Sequence, residues 1–257
     1  MKRMGIKRAA GAMAVAAAVA LLVSACGKDD SQTTTLAALP APSNGAGPSQ
    51  ANPTGMRSTS LANQGLSEGH DYKIVSLPGY QATKGKVTVK EFFWYGCPHC
   101  FRALPKFEQW MKNNDGNVVF EYTPYPATPA WEVPARFNYA LQLQHLSEED
   151  RKAVFEAIHK TGVPPGDKER LIAWAGQNGW NADQLRSDWD SFGVTTQVQR
   201  DKHDGDAIGL EGVPAVVVNG KYLVTIENAQ NQGMSEADLA VAVQRVEKAI
   251  ESGKLAP

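Results

Sequence analysis

Two cysteines stand two residues apart in the run Cys97-Pro98-His99-Cys100. At that spacing two thiols can close a disulfide across one helical turn. If the run opens a helix, the first sulfur is exposed and the second lies further in. The free backbone N–H groups and the positive end of the helix dipole then favour a thiolate on the first. Pro98 suits a first helical turn, where its missing N–H is no loss. His99 adds a nearby donor and, when protonated, a positive charge. Whatever stabilises the Cys97 thiolate stabilises the reduced protein, so the disulfide becomes the better oxidant, about 30 mV for each 1.4 kcal/mol. A low-pKa thiol is also a fast leaving group. Cys97 is therefore expected to form the mixed disulfide with another protein, and Cys100 to resolve it. Two other uses of such a pair have little support. A closed zinc site needs four ligands, and the chain has no second pair. An inert crosslink over so short a loop gains little chain entropy.

The pair needs an element to hold it. Lys86 to Tyr95 is β-branched, aromatic and mostly apolar, the strongest strand signal in the chain, and reads as a central strand covered on both faces. Gly96 ends it, and a helix is expected from the Cys-Pro-His-Cys segment to about Lys112. A second strand is expected over Val118 to Tyr122, with a short one earlier at Tyr72 to Val75. Strand, helix, strand with a motif at the turn is where α/β folds place reactive groups. From Thr128 to about Ile208 the pattern is helical. Helices are expected over Pro134 to Gln144, from a capping box at Ser147-Glu148-Glu149-Asp150 to Gly162, over Lys168 to Ala175, over Ala182 to Trp189 with Asn181 as N-cap, and from about Val194 to Ile208. Gly212-Val213-Pro214 leads into Ala215 to Val224, where Asn219-Gly220 signals a hairpin. A last amphipathic helix starts at Ser235 and ends before Gly253.

The 257 residues carry a net charge of -1, which gives no case for nucleic acid as partner. Only three cysteines are present, too few for a disulfide framework. Lys2, Arg3, Lys7 and Arg8 precede the apolar stretch Ala9 to Val23, the pattern of an export signal. Val23-Ser24-Ala25-Cys26 resembles the bacterial lipobox, which implies cleavage before Cys26 and a lipid on it; an ordinary cleavage after Ala25 also fits those residues. Either route leads out of the cytoplasm, where disulfides are made and kept. Residues 27 to 69 are rich in Ser, Thr, Ala, Asn, Gly and Pro and read as a flexible tether, with a reach of about 35 Å as a random coil.

Glu91-Phe92-Phe93-Trp94-Tyr95-Gly96-Cys97-Pro98-His99-Cys100 closely resembles the active-site strand and turn of the DsbA family of thiol oxidases, and Gly212-Val213-Pro214-Ala215 resembles that family's cis-proline loop. The resemblance covers roughly Tyr72 to Gly253. It implies an α/β, thioredoxin-like fold with an all-helical insertion. The chain then divides into a signal peptide (1–25), a lipidated N-terminus and tether (26–69), a thioredoxin-like domain (70–127 and 209–257) and the insertion (128–208). Carried over by position, Cys97 is the nucleophile and Cys100 the resolving thiol. Pro214 is cis, with the Val213 backbone free to pair with an extended client. Glu91 is the family's buried acid, handling the proton of Cys100. Trp94 and Tyr95 fall where relatives vary, and Pro105 kinks the active-site helix.

The implied activity is donation of the Cys97–Cys100 disulfide to reduced exported proteins in the periplasm. A membrane oxidase of the DsbB type would restore the disulfide, and the protein would act as a monomer with no cofactor and no metal. An envelope reductase or isomerase, and a tethered peptide-binding, chaperone-like lipoprotein, are the competing readings. His70, His145, His159 and His203 read as surface residues. Trp131, Trp174, Trp180 and Trp189 read as packing within the insertion. The acids at Glu148-Glu149-Asp150 read as a helix N-terminus rather than a metal site.

Overall fold

The computed structural model describes residues 65–114 and 116–257. The export signal, Cys26 and nearly all of the tether lie outside them. Strands β1 (Lys73–Ile74), β2 (Val87–Phe93), β3 (Val118–Pro124), β4 (Ala215–Val218) and β5 (Tyr222–Thr225) form one sheet in the order β1-β5-β4-β2-β3. Only β2 and β3 are parallel; the remaining pairs are antiparallel. Between β2 and β3 runs α1 (Pro98–Asn113), a crossover of the kind parallel neighbours require. Between β3 and β4 come five helices: α2 (Pro129–Leu143), α3 (Glu148–Thr161), α4 (Lys168–Gln177), α5 (Ala182–Asp188) and α6 (Phe192–Ala207). After the hairpin follow α7 (Ile226–Asn231), a 3-10 turn at Glu236–Asp238, and α8 (Leu239–Glu251). This is an α/β, thioredoxin-like fold carrying an all-helical insertion, as the sequence led us to expect.

β2 is central, and every one of its seven residues is buried. Val87 and Val89 face α1 and α8, against Phe107, Val243 and Val246. Phe92 points the other way, onto Tyr125, Val217 and Leu223. Lys90 shares the Phe92 face, and its Nζ donates to Asp204 of α6 at 2.7 Å. Both members of that ion pair are buried, so losing one partner costs about 3–5 kcal/mol. The pair ties the insertion to the middle of the sheet.

Several boundaries differ from the sequence reading. β2 ends at Phe93, because Trp94 leaves the ladder and its carbonyl accepts from the Cys97 N–H at 2.9 Å in a tight turn. α2 begins at Pro129, not Pro134: Thr128 is the N-cap, its side chain accepting from Trp131 N–H, and Pro129 takes the first helical position. Pro134 is then an interior proline, more than one turn inside the helix. The capping box at Ser147 and the left-handed Gly162 that closes α3 stand where expected. So do the Asn181 cap of α5 and the Asn219-Gly220 turn, whose two residues both have positive φ. The terminal helix is split: Ser235 opens the 3-10 turn and α8 proper starts at Leu239.

Candidate active site

Cys97 is the N-cap of α1, and its side chain makes no capping bond to the helix. The sequence led to an exposed first sulfur, but Cys97 is only 6% exposed because the Val213–Pro214 loop lies over it; Pro98 occupies the first helical position and no acid stands in the first turn. Gly96 must be glycine here, since a Cβ would run into the Trp94 ring. Cys100, one turn on, is 1% exposed. Both cysteines are free thiols. The Val213–Pro214 peptide is cis, and it lies against the pair: Cys97 Sγ donates to the Val213 carbonyl at 3.3 Å. Val213, Pro214 and His99 also line a groove of about 620 Å³ with Ile208, Leu210 and Ile226.

The two thiols differ sharply. The Cys97 thiol is pulled down to about 6, first by a hydrogen bond from Cys100, then by backbone N–H groups at the helix start and the charge of His99. Burial pushes the Cys100 thiol well above its ordinary value, and the neighbouring Cys97 and Glu91 charges push it further. Glu91 is buried on β2, and burial lifts its carboxyl to about 8. Arg151 of α3 works against that lift, and the Cys97 charge reinforces it. One carboxylate oxygen of Glu91 has no hydrogen-bond partner, so the acid is kept there without being satisfied.

All the sequence-predicted site residues of the described region thus meet at one end of β2: Glu91, Cys97, Pro98, His99, Cys100, Val213 and Pro214. Glu91 is not an exposed carboxylate at a strand end, because the strand is covered on both faces. Four further groups join the site from a distance. Arg151 is buried with its guanidinium 4.0 Å above the Tyr122 ring. His159, expected at the surface, is half-buried; it stacks on Phe101 and donates from Nε2 to the Tyr95 carbonyl at 2.8 Å. His70, His145 and His203 are exposed as expected. Trp131, expected to pack within the insertion, lies flat on Trp94 with ring centres 4.5 Å apart. Glu236, beyond the hairpin, contacts His99 and Arg102. Tyr95 is also buried, donating to Asn138 at 2.9 Å.

Among the described residues no cluster of His, Cys, Asp and Glu could hold a metal, and no helix is long and apolar enough to cross a membrane. A pair of unequal thiols at a helix start, on a thioredoxin-like sheet with a helical insertion, defines a thiol–disulfide oxidoreductase. Residues 127–240 match the family described as DSBA-like thioredoxin domain. The chain is 31% identical over 196 residues to the thiol:disulfide interchange protein DsbA of Azotobacter vinelandii, covering 76% of this chain and 89% of that one. It is 32% identical to DsbA of Pseudomonas aeruginosa, covering 70% of this chain and 84% of that one. The crystal structure of Pseudomonas aeruginosa DsbA superposes with a TM-score of 0.64 at 30% identity, over 74% of this chain and 97% of that one. DsbA from Xylella fastidiosa superposes with a TM-score of 0.64 at 25% identity, over 74% of this chain and all of that one. The chain belongs to the DsbA family of thiol:disulfide interchange proteins, and it is a protein disulfide oxidoreductase.

Proposed function

We propose that the protein is an envelope oxidase that donates its Cys97–Cys100 disulfide to exported proteins. The observation that carries this is the inequality of the two thiols. A client thiolate attacks Cys97 Sγ; the Cys97–Cys100 bond breaks and its electron pair goes to Cys100. Left as a buried thiolate with a strong preference for its proton, Cys100 takes one from Glu91, whose carboxyl still holds a proton at neutral pH. A second client thiolate then attacks the client sulfur of the mixed disulfide, and Cys97 leaves as the stable thiolate. The client gains a disulfide and the protein gains two electrons, which a DsbB-type membrane oxidase would remove. The Val213 backbone beside Pro214 would pair with the extended client segment.

The rest of the chain fits this work. Residues 1–25 would direct export, and Cys26 would carry lipid and hold the protein at the periplasmic membrane face. Residues 26–69 would let the domain reach clients as a monomer, with 70–127 and 209–257 as the redox domain around the insertion 128–208. The test is the redox equilibrium of the purified domain against glutathione. An oxidising couple, well above the potential of thioredoxin, is expected. A potential as low as thioredoxin's, about -270 mV, would favour the reductase reading.

A further inference from the structure

The wall opposite Pro98 and His99 is the 3-10 turn Glu236–Asp238, which packs on α1. Its capping box fixes the turn, Ser235 N–H donating to Asp238 Oδ2 at 3.0 Å. Two acids of the turn then reach α1. Asp238 pairs with Lys106, and Glu236 splits its carboxylate, one oxygen on Arg102 Nε and the other on His99 Nδ1. Arg102 also brings an N–H group to within 3.0 Å of the same Nδ1. The contacts to Nδ1 compete. A guanidinium can only donate and a carboxylate can only accept, so Nδ1 bonds to Glu236 when it carries a proton and to Arg102 when it does not.

We propose that Glu236 is a positioning residue for the redox pair: by accepting from Nδ1–H it holds the His99 ring as a donor-bearing neighbour of Cys97 and so makes the disulfide more oxidising. This rests on the reading of Cys97 as the reactive thiol. The charged and titratable groups around His99 come from several elements. They are Arg102 on its own helix, Glu236 on the turn and the two thiols, and Lys73, Glu211 and Glu227 also line the groove that His99 borders; the Lys106–Asp238 pair lies beyond Arg102. Glu236 lies partly buried between His99 and Arg102, and Arg102 offsets its charge. Its direct repulsion of a Cys97 thiolate is thereby reduced, while its effect through the imidazole remains.

The test is E236Q, which keeps the shape and removes the charge. Thiolate absorbance of the reduced protein against pH should show the Cys97 titration moved up by about half a unit, and the equilibrium with glutathione should shift about threefold toward a weaker oxidant. In an H99Q background the same change should have no effect on either quantity. A thermal midpoint measured alongside separates this from loosening of the turn, which would lower the midpoint in both backgrounds without the His99 dependence. An unmoved titration, a downward shift, or an equal shift in both backgrounds would overturn the proposal. Wild-type protein alkylated first at Cys100 would sink the reading of Cys97 beneath it as well; failure of E236Q alone would leave that reading standing.

Discussion

The rim and the floor of the site treat one motif in opposite ways. On the rim, a neighbouring thiol donor, backbone N–H groups and His99 favour a negative sulfur on Cys97 and together outweigh the cost of its burial. On the floor, one helical turn away, Cys100 and Glu91 are enclosed by β2, α1 and α3, and burial penalises charge on both. The lesson is that the two roles come from the two environments. Identical buried side chains become a leaving group and a proton-demanding resolver because the helix start surrounds one sulfur with donors and the next turn gives the other none that offsets its burial.

The strongest way to break that comparison is to remove each sulfur in turn. C97S should abolish transfer of disulfides to a reduced client. Offered a client that carries a disulfide, C100S should retain attack but stall: its Cys97 thiolate opens the client disulfide, one client sulfur leaves as thiolate, and with no second thiol to resolve it the mixed disulfide on Cys97 accumulates, visible as a mobility shift under non-reducing electrophoresis. Equal trapping by the two variants would erase the assigned asymmetry.

A smaller effect sharpens the floor. Because the folded Glu91 titrates near 8 against an ordinary value of 4.5, its stability contribution is intact below pH 4.5 and is lost as pH rises toward 8. At pH 7 the acid costs the fold about 3 kcal/mol. E91Q should therefore stabilise the protein by roughly that amount at pH 7 and by little at pH 4, read from denaturant midpoints. It should also slow the release of Cys100. A variant that gained nothing at pH 7 would show that Glu91 is not held against its preference.

The smallest effect concerns the rim. The folded Cys97 thiol lies below its unfolded value of 9.0, so its stabilisation is complete above pH 9 and disappears as pH falls through 6. At pH 7 this amounts to about 1.4 kcal/mol in favour of the reduced fold. Comparing reduced wild type with C97S across pH 5 to 9 should reveal a difference that grows with pH. A flat difference would place the stabilisation elsewhere.

Much of this was legible in the residues. The continuous apolar run of β2, the capping boxes and the Asn219-Gly220 turn are local signals, and they landed within a few residues of the observed elements. Cys97, Cys100 and the motif around them are contiguous and could be read together. What escaped was assembled by the fold. Arg151 reaches Glu91 from the insertion, and Glu236 reaches His99 across 137 residues of chain. A lone arginine on an acidic helix, or a glutamate after a Ser235 cap, looks like any surface charge. His159 and Trp131 were misplaced for the same reason. Nothing local says that their helices lean on Tyr95 and Trp94. The early start of α2 has a different origin: Pro129 and Pro134 both suit a helix opening, and the Thr128 cap selects the first.

β2 carries Lys90 and Glu91 side by side, and the pleat sends them to opposite faces. Lys90 is answered by Asp204 and Glu91 by Arg151, both from the helical insertion. A Cys-Pro-His-Cys segment moved onto a smaller thioredoxin-like scaffold would take its sulfurs along and leave both counter-charges behind. Such a graft would inherit the Cys97 thiolate, whose donors all lie within the motif, but not the tuned acid beneath it. The motif is portable, whereas its proton supply belongs to this architecture.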